Sequence, residues 1–276
     1  MALSRLLRGL APSGLAPLYA AVTALGGTTF LMVALASLYW AWDGRRREVA
    51  LVVSFAFVAL SATVALKTAL ALPRPPLSVR SIPVSDPYGF PSGHAVAATV
   101  VYGGLVRSVD RLRDRRWALL AAALVALVAL SRVVLGVHYL GDVLAGIGLG
   151  VVLLVILRRL ADGDPARGFA VAALVSVAAV LVAGTTSHAT LALGGSLGGV
   201  LGSRGLEGSP GPRSKRRLVG VLAVGLAFLV GMRALAGAVE NAAAAAAVVD
   251  LLLVAGVLSL PAAVDRVLRD VRPALS

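Results

Sequence analysis

The sequence contains no cysteine and is poor in charged and aromatic residues. The absence of cysteine excludes disulfides, thiolate metal ligands and cysteine nucleophiles. Of the 276 residues, only 14% are charged and 5% are aromatic, whereas 59% are hydrophobic. Soluble domains average about 25% charged and about 45–50% apolar residues. The composition therefore excludes a soluble globular domain and indicates a chain that lies in a membrane.

Long uncharged runs predict where the chain crosses the membrane, because a helix needs about 20 apolar residues to span about 30 Å of hydrocarbon. Nine runs stand out, of which Ala189–Ser203 is the weakest since it is short and rich in glycine. The others are Leu15–Trp42, Val49–Leu72, Ser92–Val106, Trp117–Val134, Tyr139–Leu157, Gly168–Gly184, Leu218–Ala236 and Ala242–Leu260. The sequence predicts an all-α fold, a polytopic bundle of about nine transmembrane helices.

The basic residues orient this bundle, because cytoplasmic loops are enriched in lysine and arginine. The chain has 26 Lys and Arg against 13 Asp and Glu, a formal net charge of +13. Of the 26 basic residues, 19 fall in alternate loops and so share one face. We predict that this face is cytoplasmic and holds Arg113 and Lys215, whereas Arg80 and His188 lie outside. The arginine clusters are topology signals and do not indicate a nucleic-acid partner.

Unusual polar residues collect at the outer ends of the second and third crossings. Lys67 and Arg74 stand seven residues apart around a helix exit. The segment Pro73–Pro91 is rich in proline and is predicted to be stiff and non-helical. It leads into Ser92–His94, where the next helix begins with a hydroxyl, an imidazole and free N–H groups. Such a helix start is a natural site for an anion.

A second polar cluster lies between the fourth and fifth crossings. His138 and Asp142 are spaced i, i+4, so on a helix the carboxylate can hold one imidazole nitrogen and leave the other free. With Lys67 and Arg74, Arg132 makes three cations, which suit the charge of a phosphoryl group in its transition state. A histidine held by a carboxylate can attack phosphorus, and a second histidine can protonate the leaving oxygen. No acidic cluster accompanies them, so we predict neither a metal nor another cofactor.

These segments resemble the three signature motifs of the type-2 phosphatidic acid phosphatase superfamily, the membrane branch of the fold shared with vanadium haloperoxidases and bacterial acid phosphatases. The family pattern is K-x6-R-P, P-S-G-H and S-R-x5-H-x3-D. It is matched without substitution by Lys67–Pro75, Pro91–His94 and Ser131–Asp142. The resemblance implies distinct roles: phosphate binding by Lys67, Arg74, Ser92, Gly93 and Arg132, general acid catalysis by His94, nucleophilic attack by His138, and orientation of that histidine by Asp142.

The predicted crossings and the position of the motifs divide the chain into four parts. A membrane phosphatase core, residues 15–160, contains the motifs on helices 2 to 5. An interfacial N-terminal segment, residues 1–14, precedes it. C-terminal transmembrane helices without an assigned role, residues 168–262, and a basic cytoplasmic tail, residues 263–276, follow it.

By resemblance, we expect an integral plasma-membrane phosphatase that hydrolyses a lipid-linked phosphate or diphosphate at the extracytoplasmic face. Its partners are then the bilayer and the lipid substrate. We expect polyprenyl diphosphate to be preferred over phosphatidate, with Arg80 reaching the second phosphate. A phosphotransferase that uses the same site is the alternative. A lipid transporter or flippase is less favoured, because its polar residues would lie near the midplane. A haloperoxidase suits a membrane protein less well.

A few other residues call for an interpretation. His188 lies on the outer face without a partner in sequence and is interpreted as a surface residue. Arg233 and Asp250 lie at similar depths in the last two crossings and are predicted to neutralise each other. Gly198 and Gly202 have the spacing at which small residues let helices approach closely in membranes.

Overall fold

The computed structural model describes residues 2–10, 13–42, 44–109, 114–204 and 215–271. Within these ranges the chain is almost entirely helical, with a single isolated bridge between Pro73 and Tyr88. The helices are α1 (Ala2–Leu10), α2 (Ala16–Ala24), α3 (Thr28–Ala41), α4 (Arg46–Leu70), α5 (Gly93–Ser108), α6 (Arg115–Val134), α7 (Leu140–Ala161), α8 (Pro165–Ala183), α9 (Ser187–Ser203), α10 (Lys215–Ala238) and α11 (Ala243–Val271).

The predicted all-α bundle is confirmed, and each of the nine predicted crossings corresponds to one helix or to a bent pair. Among the described residues, six helices are long and apolar enough to cross a membrane: α4, α6, α7, α8, α10 and α11. The bent pair of α2 and α3 makes a seventh if it is one span. Helices α5 and α9 have 16 and 17 residues. They are about 24–26 Å long, a little shorter than the hydrocarbon core of about 30 Å.

The first predicted crossing is broken, which the sequence prediction did not include. Helices α2 and α3 meet at an angle of 49°. The break contains Gly26 and Gly27, and both lie against His94. A Cβ at position 26 would lie 2.6 Å from Val128 Cγ1 and 3.0 Å from the carbonyl oxygen of His94. A glycine at this point therefore allows the bend to sit directly on the start of α5.

The predicted N-terminal helix is present as α1. Ser4 is 3% exposed, and its hydroxyl accepts a hydrogen bond from the backbone N–H of Leu140 at 3.1 Å. Helix α1 therefore packs on the first turn of α7. The interfacial location of residues 1–14 stays a prediction.

The helices after residue 164 pack tightly against the preceding ones. The hydroxyls of Ser61 in α4, Ser176 in α8 and Ser196 in α9 form a row with separations of 2.8 and 3.3 Å. Gly198 and Gly202 both face α11, as the small-residue spacing predicted. Hydrogen bonds and close backbone packing of this kind hold helices together in a membrane.

Two further predictions concern the C-terminal helices. The predicted pairing of Arg233 and Asp250 is confirmed, with 2.9 Å between Arg233 Nη1 and Asp250 Oδ1. Helix α11 continues to Val271, beyond the predicted end at Leu260, with Pro261 inside it. Most of the predicted tail, 263–276, is therefore helical, and residues 272–276 lie outside the described part of the chain. Arg113 and most of the predicted basic loop 204–217 also lie outside it.

Candidate active site

Four stretches of chain meet at one end of the bundle: the end of α4, the loop between α4 and α5, the start of α5, and the turn between α6 and α7. Backbone hydrogen bonds of 3.0 Å join them, from Ser81 N to Leu135 O and from Ser92 N to Asp142 O. Gly146 lets α7 approach α5, because a Cβ there would lie 2.8 Å from Ser92 O. This packing brings the three sequence motifs together.

His138 lies in the turn before α7, and both of its ring nitrogens have partners. Nδ1 is 3.3 Å from Asp142 Oδ2, and Nε2 is 3.0 Å from Arg74 Nη1. Because a guanidinium only donates hydrogen bonds, Nε2 must accept, and the ring proton must lie on Nδ1. Asp142 Oδ2 also accepts a hydrogen bond from Tyr139 N at 2.8 Å. The predicted contact between His138 and Asp142 is therefore present, and it holds the tautomer whose Nε2 lone pair faces the cations.

The electrostatic surroundings of His138 keep its imidazole uncharged. The residue is 2% exposed, and burial lowers its pKa well below the ordinary 6.5. The hydrogen bond with Asp142 opposes this effect, while the positive charges of Arg132 and Arg74 lower the pKa further. A neutral ring at pH 7 keeps the Nε2 lone pair free of a proton.

Lys67 and Arg74 share a carboxylate that none of the motifs contains. Asp86, in the proline-rich loop, forms an ion pair with Lys67 Nζ and lies 3.3 Å from Arg74 Nη2. Its backbone oxygen also accepts a hydrogen bond from Arg74 Nε at 2.7 Å. Burial acts to raise the pKa of Asp86, but the hydrogen bond and charge of Lys67 outweigh it and hold the pKa below 3.8. An ionised carboxylate therefore occupies the anion-binding side of both cations.

Two polar atoms of the predicted phosphate site are buried without a partner among the described residues. They are the hydroxyl oxygen of Ser92, a residue with 0% exposure, and Nε of Arg132. Arg132 is held in place by Nη1, which donates to Thr23 Oγ1 in α2 at 3.1 Å. Buried polar groups are nearly always hydrogen-bonded, so these two atoms lack the partner that such groups normally have.

A cavity of about 330 Å³ opens at this end of the bundle. Most of the predicted site residues line it: Lys67, Arg74, Gly93, His94, Arg132 and His138. Ser92 and Asp142 do not line the cavity, and Asp142 reaches it through His138. His94 lies beside the bend of the first crossing, since its Nε2 is 3.6 Å from the position of a Cβ on Gly27.

Two residues outside the three motifs lie near the site. His188, at the start of α9, is exposed, as the interpretation as a surface residue requires, and it also lines the cavity. Arg80 does not line it, and its Nε donates to the carbonyl of Pro75 at 2.8 Å within its own loop. That Arg80 reaches a second phosphate stays a prediction. Within the described ranges, no three His, Cys, Asp or Glu side chains are placed to hold a metal ion.

Part of the chain is similar to proteins of known family. Residues 47–164 match the PAP2 superfamily. The decaprenylphosphoryl-5-phosphoribose phosphatase of Mycobacterium tuberculosis is 37% identical over 109 residues, which are 38% of this chain and 57% of that protein. Phosphatidylglycerophosphatase B of Bacillus subtilis is 36% identical over 77 residues, 26% of this chain and 38% of that protein.

The chain thus spans about half the length, or less, of the curated relatives that it matches. A solved structure, a transmembrane PAP2-type phosphatidylglycerolphosphate phosphatase from Bacillus subtilis, has a TM-score of 0.49 and 25% identity, over 58% of this chain and 83% of that one. The three motifs lie inside the matched residues 47–164, so this part of the chain is similar to the PAP2 superfamily.

Proposed function

We propose that the chain is an integral membrane phosphatase that hydrolyses a lipid-linked phosphate through a phosphohistidine intermediate. The observation that carries the proposal is the position of His138. Its unprotonated Nε2 points at Arg74, in a cavity that also contains Lys67 and Arg132. A phosphoryl group bound to these cations would present its phosphorus to that nitrogen. Proximity and orientation of this kind account for a large part of many enzymatic rate accelerations.

In the proposed first step, Nε2 of His138 attacks phosphorus, a P–N bond forms, and the bond between phosphorus and the lipid oxygen breaks. His94 donates a proton to that oxygen, so that the lipid leaves as an alcohol or as a shorter phosphate. Asp142 stabilises the positive charge that develops on the ring of His138. Lys67 and Arg132 balance the negative charge on the phosphoryl oxygens.

In the second step, a water molecule attacks the phosphohistidine while His94 takes up its proton. The P–N bond breaks, the electron pair returns to Nε2, and inorganic phosphate is released. The ring of His138 is then neutral again, as it is in the substrate-free site. No step in this scheme requires a metal ion.

The substrate that we propose is a lipid that carries a terminal phosphate or diphosphate. The names of both curated relatives combine a lipid with a phosphate ester. Lys67, Arg74 and Arg132 carry more positive charge than a phosphomonoester needs, which favours a polyprenyl diphosphate. Asp86 offsets one of these charges. A second phosphate would have to displace this carboxylate.

The proposed location is the plasma membrane, with the site on the extracytoplasmic face. The end of the bundle opposite the site holds Arg46, Arg107, Arg115 and Arg159 at or near helix termini. Arginine-rich ends are typical of the cytoplasmic side.

The test is phosphate release by purified protein in detergent with a metal chelator present. The substrates are polyprenyl diphosphate, phosphatidate and a short water-soluble phosphate ester. An acid quench during turnover with radiolabelled phosphate should trap label on the protein. We expect His138→Ala to abolish both turnover and label, and the matched control His188→Ala to retain the label. Label that persists in His138→Ala, or turnover that requires an added divalent metal, would contradict the proposal. Phosphate recovered on glycerol instead of water would indicate the phosphotransferase.

A further inference from the structure

The cavity at the phosphate site continues into the interior of the bundle. It is bounded at one end by Lys67 and His138 and extends past Val53 in α4 to Tyr39 in α3. Lys67 and Val53 are 14 residues apart on one helix, which corresponds to about 21 Å at about 1.5 Å per residue. This depth exceeds what a phosphate or a small headgroup occupies. It is a large part of the roughly 30 Å hydrocarbon core.

The walls of the cavity change character with depth. Thr63, one turn below Lys67, has a buried hydroxyl without a partner among the described residues. Below it the lining side chains of α3 and α4 are apolar, as at Leu35 and Leu60. Tyr39 is the exception, but its hydroxyl already donates to the backbone oxygen of Leu258 at 2.7 Å. The inner part therefore suits a hydrocarbon and offers little to a polar ligand.

One wall of the inner part comes from the C-terminal helices, outside the residues that match the family. In α11, Leu253 and Val254 line the cavity. Helix α11 is fixed to α3 one turn further on. Pro261 has no N–H, so the carbonyl of Val257 lacks its usual helical donor. The indole N–H of Trp40, which is fully buried, donates to that carbonyl at 2.9 Å instead.

We infer that this cavity holds the proximal part of the hydrocarbon chain of the lipid substrate, with α11 as its far wall. The inference rests on the proposed function, because the phosphate end of the cavity is the site described above. One chain fits the volume. A protein cavity of about 150 Å³ accepts benzene, and this cavity of about 330 Å³ therefore accommodates roughly a dozen carbon atoms. The remainder of a long chain extends into the bilayer.

The role of such a cavity is to fix the phosphate in register with His138. A chain that moves from the bilayer into the protein gains little hydrophobic free energy, because lipid is as apolar as the side chains. A chain that comes from water gains about 0.8 kcal/mol per methylene. Monomeric alkyl phosphates in water therefore report occupancy of the cavity more directly than membrane lipids do.

The experiment measures kcat/KM for a series of n-alkyl phosphates from two to fourteen carbons, each below its micelle concentration. For the unmodified protein we expect a rise of up to about fourfold per methylene, and a plateau near a dozen carbons. Two variants narrow the cavity from opposite walls, Ala56→Phe in α4 and Val254→Phe in α11. Their matched controls, Ala65→Phe and Val248→Phe, lie on the same helices away from the cavity. The narrowed variants should reach the plateau several carbons earlier, and the controls should not.

The two-carbon ester separates failure of this inference from failure of the proposed function. It reaches only the phosphate end, so its hydrolysis by all variants shows that they are folded and that the site is active. If the unmodified protein hydrolyses no member of the series and no lipid phosphate, the proposed function is wrong. A flat dependence on chain length, or narrowed variants that behave like their controls, would overturn the tail cavity alone.

The same variants identify the source of the chain. A loss of kcat/KM for prenyl phosphates but not for diacyl phosphatidate supports an isoprenoid chain in the cavity. A loss for both supports any aliphatic chain, one of the two acyl chains included. A loss for neither would contradict the inference even if the alkyl series responds.

Discussion

Replacement of Asp86 by asparagine tests whether this carboxylate competes with phosphate for Lys67 and Arg74. Asp86 pairs with Lys67 and Arg74, the cations to which we assign phosphate binding. If an incoming phosphate must displace this carboxylate, Asp86 competes with the substrate. Loss of its charge should then strengthen the binding of phosphate and of vanadate, which resembles the phosphoryl group in its transition state.

The size of the effect follows from the two contacts that change. A hydrogen bond to a charged group contributes roughly 1.5–3 kcal/mol, against about 1 kcal/mol for a neutral one. Neutralising Asp86 therefore weakens each contact by about 1 kcal/mol. The Asp86 side chain is 36% exposed, so solvent screening removes a good part of the combined effect. A net gain of about 1 kcal/mol remains, which corresponds to a roughly fivefold lower inhibition constant.

The assay compares vanadate and inorganic phosphate as inhibitors of the purified protein and of Asp86→Asn at pH 7. At this pH Asp86 is ionised, because its folded-state pKa lies below 3.8. The interaction is therefore fully present above that value and is lost only as the pH falls through it. Asp162→Asn, an exposed site at the far end of α7, is the matched control. An unchanged inhibition constant would refute the competition, and a higher one would assign Asp86 the role of positioning Lys67 and Arg74.

Three further predictions use the same preparations. Asp142→Asn should lower kcat by at least about 100-fold, because the His138 ring is then no longer held in its orientation. The control Asp162→Asn should leave kcat within twofold. Equal losses of kcat in both variants would indicate a general effect on α7. In ¹⁵N NMR of histidine-labelled protein, the His138 ring should stay neutral with its proton on Nδ1 as the pH falls from 7 to 5.5, because the pKa of His138 lies well below 6.5. Its signal is identified by its absence from His138→Ala. Titration of that signal with an ordinary histidine pKa would contradict the assignment. Single cysteines should be labelled in intact cells at position 80 but not at position 159, and the reverse would invert the proposed orientation.

The sequence predicted which residues come together at the site, because their placement depends on regular structure. The i, i+4 spacing of His138 and Asp142 places the two side chains together on any helix turn. Lys67 and Arg132 lie at helix ends, and the alternation of crossings brings those ends to one face. These relations need only the helix period and the count of crossings.

The contact of Asp86 with Lys67 and Arg74 could not be predicted in the same way, because Asp86 lies in an irregular loop. It is 12 residues beyond Arg74 and 19 beyond Lys67, and no period relates those positions where proline replaces helix. The sequence nevertheless contains one signal for this contact, which is charge. Asp86 is the single acidic residue between Lys67 and His94, in a segment with several positive charges. Charge complementarity, and not spacing, was the useful criterion.

The bend in the first crossing was missed for a different reason. Gly26 and Gly27 are visible in the sequence, but glycine is common in straight transmembrane helices. This bend packs against Val128 and the backbone at His94, where a Cβ would not fit. A local pattern cannot contain that information.

Two polar groups buried among the C-terminal helices differ from those at the site. Hydrocarbon would penalise both if they lacked a partner, but Arg233 pairs with Asp250, and the carbonyl that Pro261 leaves free accepts a hydrogen bond from Trp40. The hydrogen-bonding capacity of these groups is therefore taken up by contacts between helices.

At the proposed phosphate site and next to it, Ser92 Oγ, Thr63 Oγ1 and Arg132 Nε are buried without a partner among the described residues. An unsatisfied buried polar group costs roughly 1–3 kcal/mol. The fold therefore holds at least these three atoms at a cost, which binding of phosphate would relieve. The same reasoning predicts that Ser92→Ala stabilises the substrate-free protein while it weakens phosphate binding. A thermal unfolding scan with and without inorganic phosphate measures both effects, and a variant that loses stability in both conditions would show that Ser92 serves the fold instead.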